Sequence, residues 1–209
     1  MIKERCKICR RLGVKLFLKG ERCFGQKCEI VKRNYAPGIR TKKRNKKISG
    51  YGRELAEKQK LRRWYNLDEK QFKKYVKETL DKGSKSGNAG DLLIKRLESR
   101  LDNIVFRLGF AKSRIEARQM VNHGHFLVNG KNVDIPSYEV KKNDEIEVKE
   151  TAKKKKKFQD MKELLKKYQA PEWLNLQADI MKGKVLELPS EEEANVPVET
   201  LVVFEFYSK

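Results

Sequence analysis

Four cysteines, Cys6, Cys9, Cys23 and Cys28, stand in the first 28 residues, and none occurs in the following 181. Their spacing is C-x2-C, then thirteen residues, then C-x4-C. Each short-spaced pair can present two thiolates to one tetrahedral ion, which is the chemistry of a structural zinc site. Four thiolates also suit an iron–sulfur cluster, and buried free thiols are the plain alternative. One structural zinc is the expectation. It would solve a folding problem, because a strongly basic segment of about 40 residues cannot build an adequate core unaided.

The second chemistry is electrostatic. Fifty Lys and Arg against 29 Asp and Glu give a net charge of +21, a balance that predicts a polyanionic partner through counterion release. The charge is uneven. Residues 1–50 hold 17 basic and 3 acidic side chains, whereas residues 170–209 hold 3 basic and 8 acidic. Charge runs are usually solvated surface, but solvation does not explain so lopsided an excess. Nucleic acid is expected against the front and middle of the chain, and a different neighbour against the acidic end.

These charges need elements to position them, and residues 96–131 provide the clearest. A helix there would bury Leu97, Leu101, Ile104, Val105 and Leu108, which at ~100° per residue share one arc. Arg96, Arg100 and Arg107 would cluster within about 40° on its edge. Ser113 followed by Glu116 makes a capping box for a second helix, and Gly124 stops it at the C′ position. Arg114 and Arg118, one turn apart, would continue the positive edge. Phe126, Leu127 and Val128 then run into Asn129-Gly130, a type I′ hairpin signal. Lys131 and Val133 begin the return strand, and Asp144 to Val148 alternates like a further strand.

Upstream, Asn34 to Ile48 turns at Pro37-Gly38 and carries Arg40, Lys42, Lys43, Arg44, Lys46 and Lys47. It should be disordered in isolation and form an extended phosphate-contacting arm on RNA, with Tyr35 available to stack. Helices are expected from Gly52 to Tyr65 and from Asp68 to Gly83, with Phe72, Tyr75, Val76 and Leu80 on one face. Ser84 to Gly90 reads as a flexible joint. Lys153 to Lys157 is a lysine run leading to a helix at Met161–Tyr168; such runs are usually solvated, but beside an RNA-binding region this one is expected to extend the phosphate track. Strand-like pieces follow at Glu172–Leu176, Lys184–Pro189 and Leu201–Tyr207. The last is too apolar to lie free, and the two helices at 52–82 offer it a cover.

Enzymatic chemistry is hard to find. His123 and His125 are the only histidines and flank Gly124, which suits a helix terminus better than a catalytic base. No phosphate-cradling P-loop is present. No stretch approaches the roughly 18 apolar residues of a membrane span, and the start lacks the apolar segment of a secretory signal. A cytoplasmic protein with no membrane partner and no disulfides is expected.

Residues 96–131 resemble the S-four RNA-binding domain. The chain as a whole resembles the bacterial S-four family of small-subunit ribosomal proteins, from CKICRRLGVKLFLKG through YGRELAEKQKLRRWY to VVFEFYSK. The resemblance implies an α+β protein: a zinc-bearing basic N-terminal segment (1–48), a discontinuous helical domain (49–90 and 180–209) and an inserted RNA-binding domain of two helices and a small sheet with a following helix (91–179). It implies early binding to the 5′ part of 16S ribosomal RNA and nucleation of the subunit body. It further implies contact with protein S-five and other small-subunit proteins, a place where messenger RNA enters, and an influence on decoding accuracy. Some relatives also bind their own mRNA leader. Members with these four cysteines bind zinc. Besides the residues above, candidate RNA contacts are Arg10, Arg11, Arg53, Arg62, Arg63, Lys112, Ser113, Gln119, His123, Asn129 and Lys131. Glu191, Glu192 and Glu193 are expected to face a basic neighbouring protein such as S-five.

Overall fold

In the computed structural model, residues 2–38, 48–83 and 88–208 are described. They divide into two compact units, Met1–Leu92 with Asn195–Lys209, and Leu93–Ala194. Along the chain run helices α1 (Ile2–Leu12), α2 (Glu29–Lys32), α3 (Gly50–Trp64), α4 (Glu69–Gly83), α5 (Ala89–Glu98), α6 (Leu101–Arg107) and α7 (Arg114–Asn122). Strands β1 (Phe126–Val128), β2 (Lys131–Asn132) and β3 (Glu145–Val148) follow, then α8 (Glu150–Lys153), α9 (Lys156–Leu165), β4 (Leu174–Gln177), β5 (Lys182–Val185), α10 (Glu191–Ala194) and α11 (Thr200–Ser208).

In the first unit, Ser49 caps α3 by accepting the Gly52 N–H at 3.2 Å. The helix ends where Asn66 adopts φ 54° and the Leu67 N–H reaches back to the Arg62 carbonyl at 3.0 Å, an αL stop that asparagine tolerates. Leu61, Tyr65, Leu67, Phe72, Tyr75 and Val76 form the buried seam. The apolar C-terminal run, read above as a strand, is the helix α11, which packs on α3 and α4. Thr200, Val203, Phe204 and Tyr207 lie on one helical face, and the Tyr207 ring sits 6.2 Å from Phe72. Strand propensity in Leu201–Phe204 yields to that cover.

The second unit stacks helices on a five-stranded antiparallel sheet of order β2-β1-β3-β5-β4. Asn129 and Gly130, with φ 50° and 76°, make the I′ turn and set Val128 opposite Lys131. Strand β5 pairs with β3, Glu145 facing Lys184, and its Gly183 is required by packing: a Cβ there would lie 2.5 Å from the Leu108 side chain. Residues 180–194 therefore belong to this unit, and the chain returns to the first at Asn195 rather than at 180. The lysine run is broken between α8 and α9, with Lys155 as N-cap of α9.

The helix expected through residues 96–108 is two helices. Between α5 and α6, Ser99 is a turn and Arg100 is extended, and Arg100 bridges Glu139. The Val140 N–H donates to the Ser99 carbonyl at 2.8 Å, and the Leu101 N–H to Tyr138 at 2.9 Å. Leu97, Leu101, Ile104, Val105 and Leu108 are all fully buried, so the apolar face holds while the arginine row does not.

Candidate nucleic-acid interface

The arginines of α5 to α7 surround two buried carboxylates. Arg100, at 0% exposure, donates from Nε and Nη2 to the two oxygens of Asp102 at 3.0 and 2.7 Å. This corrects the expectation of a solvent-facing Arg100: the break before α6 turns its side chain inward. Glu98, also at 0%, holds Arg107 through two bonds of 3.0 and 2.7 Å and accepts from Asn103 at 2.6 Å. Asn103 in turn accepts from Arg114 Nε at 2.8 Å, and the Arg114 guanidinium lies 4.5 Å from the centre of the Phe106 ring. Arg114 is likewise buried rather than exposed. Arg107 also donates to the Ala194 carbonyl at 2.8 Å. Of the expected row, Arg118 keeps the most open side chain, 3.9 Å from Asp102, and Arg96 pairs with Glu139 at 3.1 Å.

A second basic cluster gathers where α7 ends. Its C-terminus is a Schellman motif: Gly124 takes φ 64°, its N–H reaches Val121 and that of His125 reaches Met120. This places His123 and His125 with ring centres 5.8 Å apart. Burial, then the charges of Lys155, His123, Lys157 and Lys149, pull the His125 pKa down. Four cationic or ionisable side chains therefore project their field onto one imidazole. Lys149 was not among the expected contacts, whereas Lys155 lies in the lysine run expected to extend the phosphate track and His125 was expected to be structural or RNA-contacting. Their sequence positions are far apart, and the signal that could have joined them is the pairing of β1 with β3, which brings the Lys149 N–H to the His125 carbonyl at 2.9 Å.

At the other end of α7, Ser113 accepts the Glu116 N–H at 3.3 Å. Glu116 accepts the Lys112 N–H at 2.9 Å and pairs with Lys157 at 2.7 Å. Ser113 is thus a buried cap, while Lys112 is exposed. Gln119, His123 and Lys131 are exposed. Asn129 works within the turn, donating to Asp144 at 2.8 Å and accepting the Glu145 N–H at 2.9 Å. Glu192 and Glu193 are exposed and Glu191 half-buried on α10. Ser190 and Glu193 cap that helix reciprocally at 3.3 and 2.9 Å.

In the first unit Arg10 donates to the Arg33 and Tyr35 carbonyls at 3.2 and 3.0 Å, and its guanidinium lies 4.8 Å from the Tyr35 ring centre. Tyr35 is therefore engaged within the protein, though 39% exposed. Arg53 pairs with Glu199 at 3.2 Å and Arg62 with Glu69 at 3.2 Å. Arg11 and Arg63 line an open groove. Arg40, Lys42, Lys43, Arg44, Lys46 and Lys47 lie outside the described residues.

Cys6, Cys9, Cys23 and Cys28 are free thiols that line one small cavity, together with Leu18, Lys19 and Ile30. Burial pushes the Cys9 and Cys23 thiols up, and the Lys19 N–H points to Cys23 Sγ at 3.4 Å. Among the described residues, no three His, Cys, Asp or Glu side chains are already closed into a metal-holding set. The thiols are gathered around one space without being drawn onto one point.

Residues 1–98 match the family described as the ribosomal protein S4/S9 N-terminal domain, and residues 99–146 match the S4 domain. The small ribosomal subunit protein uS4 of Syntrophus aciditrophicus is 51% identical over 204 residues, spanning 98% of this chain and 96% of the relative. The chain belongs to the bacterial uS4 ribosomal protein family. The uS4 protein of Natranaerobius thermophilus and the uS4A protein of Alkaliphilus metalliredigens are each 50% identical over the same extent. The S4-domain match takes in α6, α7, β1, β2 and the start of β3, and with them Arg100, Asp102, Arg107, Arg114, His123 and His125, whereas Glu98 lies just before it and Lys149, Lys155, Lys157, β4 and β5 lie beyond it. Among the described residues, no helix is long and apolar enough to cross a membrane.

Proposed function

We propose that this uS4 chain is a non-catalytic, cytoplasmic constituent of the small ribosomal subunit that binds ribosomal RNA. The observation that carries the reading is half-identity to uS4 proteins over 98% of the chain. The net charge of +21 and the cationic cluster around His125 supply the electrostatics that RNA needs. The finer reading is that it binds the 5′ part of 16S ribosomal RNA and nucleates the subunit body. With protein S-five it then bears on decoding accuracy and on the path by which messenger RNA enters. The exposed Glu192 and Glu193, on a chain otherwise basic, suit a basic neighbour of that kind. In the test, purified protein incubated with small subunits lacking it co-sediments with them after a high-salt wash. Loss on washing would count against a structural constituent.

We also propose one structural zinc held by Cys6, Cys9, Cys23 and Cys28. Four thiols around one cavity and an N–H aimed at a sulfur fit a thiolate site, and the ion would supply the cross-link that this small basic segment lacks. Cys9→Ser should release the metal and loosen the N-terminal part of the first unit, while residues 93–194, which contribute no ligand, keep their thermal transition. Elemental analysis of freshly purified protein that finds iron, or no metal, would overturn the assignment.

A further inference from the structure

The groove between α1 and α3 differs from every other basic surface described above. Its floor is Ile8, Leu12 and Leu55, its rim is Lys7, Arg11 and Arg63, and its volume is about 470 Å³. Elsewhere the arginines are largely spoken for, by Glu29, Glu69, Glu98, Asp102, Glu139 and Glu199. Lys7, Arg11 and Arg63 form no ion pair with any acidic side chain among the described residues. Burial and the adjacent Arg62 push the Arg63 guanidinium pKa down, against the opposing charges of Asp68 and Glu69. Three such cations around an aliphatic floor call for a ligand that is anionic at its edges and flat and apolar at its centre. An acidic peptide meets the rim but not the floor, and a lipid chain meets the floor but not so dense a rim.

We propose that this groove takes a nucleotide extruded from ribosomal RNA, with its base on the Ile8, Leu12 and Leu55 floor and the flanking phosphates on Lys7, Arg11 and Arg63. The inference rests on the RNA-binding reading above and deepens it. The volume lies within the roughly 300–1,000 Å³ of small-ligand sites. Sequence-selective RNA contact uses splayed bases stacked on side chains or guanidinium planes rather than the closed duplex. Gln59, on the same groove, carries an amide that both donates and accepts, so it can answer the Watson–Crick edge of the base.

The test uses the full-length protein and a transcript of the 5′ part of 16S ribosomal RNA. Arg11→Gln/Arg63→Gln should weaken binding on the order of tenfold or more and lower the magnitude of the salt slope by roughly two. Ile8→Gln and Gln59→Ala, each checked for an unchanged far-ultraviolet spectrum and melting curve, should leave the slope alone. They should, however, restore dimethyl sulfate or carbodiimide reactivity to an unpaired base that the wild-type protein protects. If the charge variant loses affinity but base reactivities in the other two match wild type, the groove grips phosphates only and base insertion is wrong. If all three bind like wild type, the groove is not an RNA site, and loss of a neighbouring protein from reconstituted subunits would assign it to that protein. Failure of the wild-type protein to bind the transcript would overturn both this inference and the RNA-binding reading.

Discussion

The two basic clusters of the second unit look alike in sequence and differ in what lies beneath them. Around α6, Arg100 and Arg107 are each clamped by a carboxylate that water barely reaches, Asp102 at 4% and Glu98 at 0% exposure. Around His125, Lys149 and Lys155 form no ion pair among the described residues, and burial, followed by the charges of these lysines and their neighbours, disfavours a proton on the imidazole. Charge counted along a chain is therefore not charge available to a partner. A guanidinium spent on a buried carboxylate stabilises the fold only because both members are present, whereas an uncompensated ammonium at the surface is held ready for a phosphate.

The strongest way to break this contrast is to remove the carboxylate. Asp102→Ala removes the carboxylate that accepts two hydrogen bonds from the buried Arg100 and should cost about 3–5 kcal/mol in urea denaturation. Replacing both partners, Asp102→Leu with Arg100→Met, should recover most of that loss. If Asp102→Ala alone is nearly neutral, the buried pair does not hold the fold and Arg100 is not spent on it.

A smaller effect is expected in the first unit, where the corresponding pair is half-open. Glu69 accepts from Lys58 at 2.6 Å and from the Tyr207 hydroxyl at 2.9 Å, and so ties α11 to the α3–α4 pair. Burial raises the Glu69 pKa, but the bonds from Lys58 and Tyr207 outweigh it and the net shift is downward. A depressed carboxylate pKa contributes stability that is present above the unfolded value of about 4.3 and is lost as pH falls through the folded value. Glu69→Gln should therefore destabilise the protein by about 1 kcal/mol at neutral pH, and the gap to wild type should close on acidification below about pH 4. A gap that is constant with pH would mean that the carboxylate charge is not the tie.

Much of the local structure was legible because its causes are local. The Ser113 cap, the stop at Gly124 and the Asn129-Gly130 turn each follow from the conformational demands of one or two residues. So does the buried face from Leu97 to Leu108, although the helix carrying it is broken. The break at Ser99–Arg100 was not legible, since it is made by pairing with Tyr138–Val140, some forty residues on. Nor was α11, whose helical state depends on the cover given by α3 and α4 to a run with strand propensity. Nor was the role of Glu98 legible. On a helical wheel it reads as one more solvated acid, and only the packed unit reveals it as the common acceptor of Arg107 and Asn103.

The central claim is that the RNA affinity of the second unit rests on surface cations without an ion-pair partner and not on the arginines clamped by Glu98 and Asp102. It is tested most directly by the salt dependence of binding to a 16S ribosomal RNA transcript, measured with Lys149→Ala/Lys155→Ala and with Arg107→Ala beside the wild type. The double lysine variant should change stability by less than about 0.5 kcal/mol and reduce the magnitude of the salt slope by roughly two. Arg107→Ala should melt earlier and, at a temperature where it is folded, bind with the wild-type slope. An unaltered slope in the lysine variant, together with a reduced slope in a fully stable Arg107→Ala, would contradict the account.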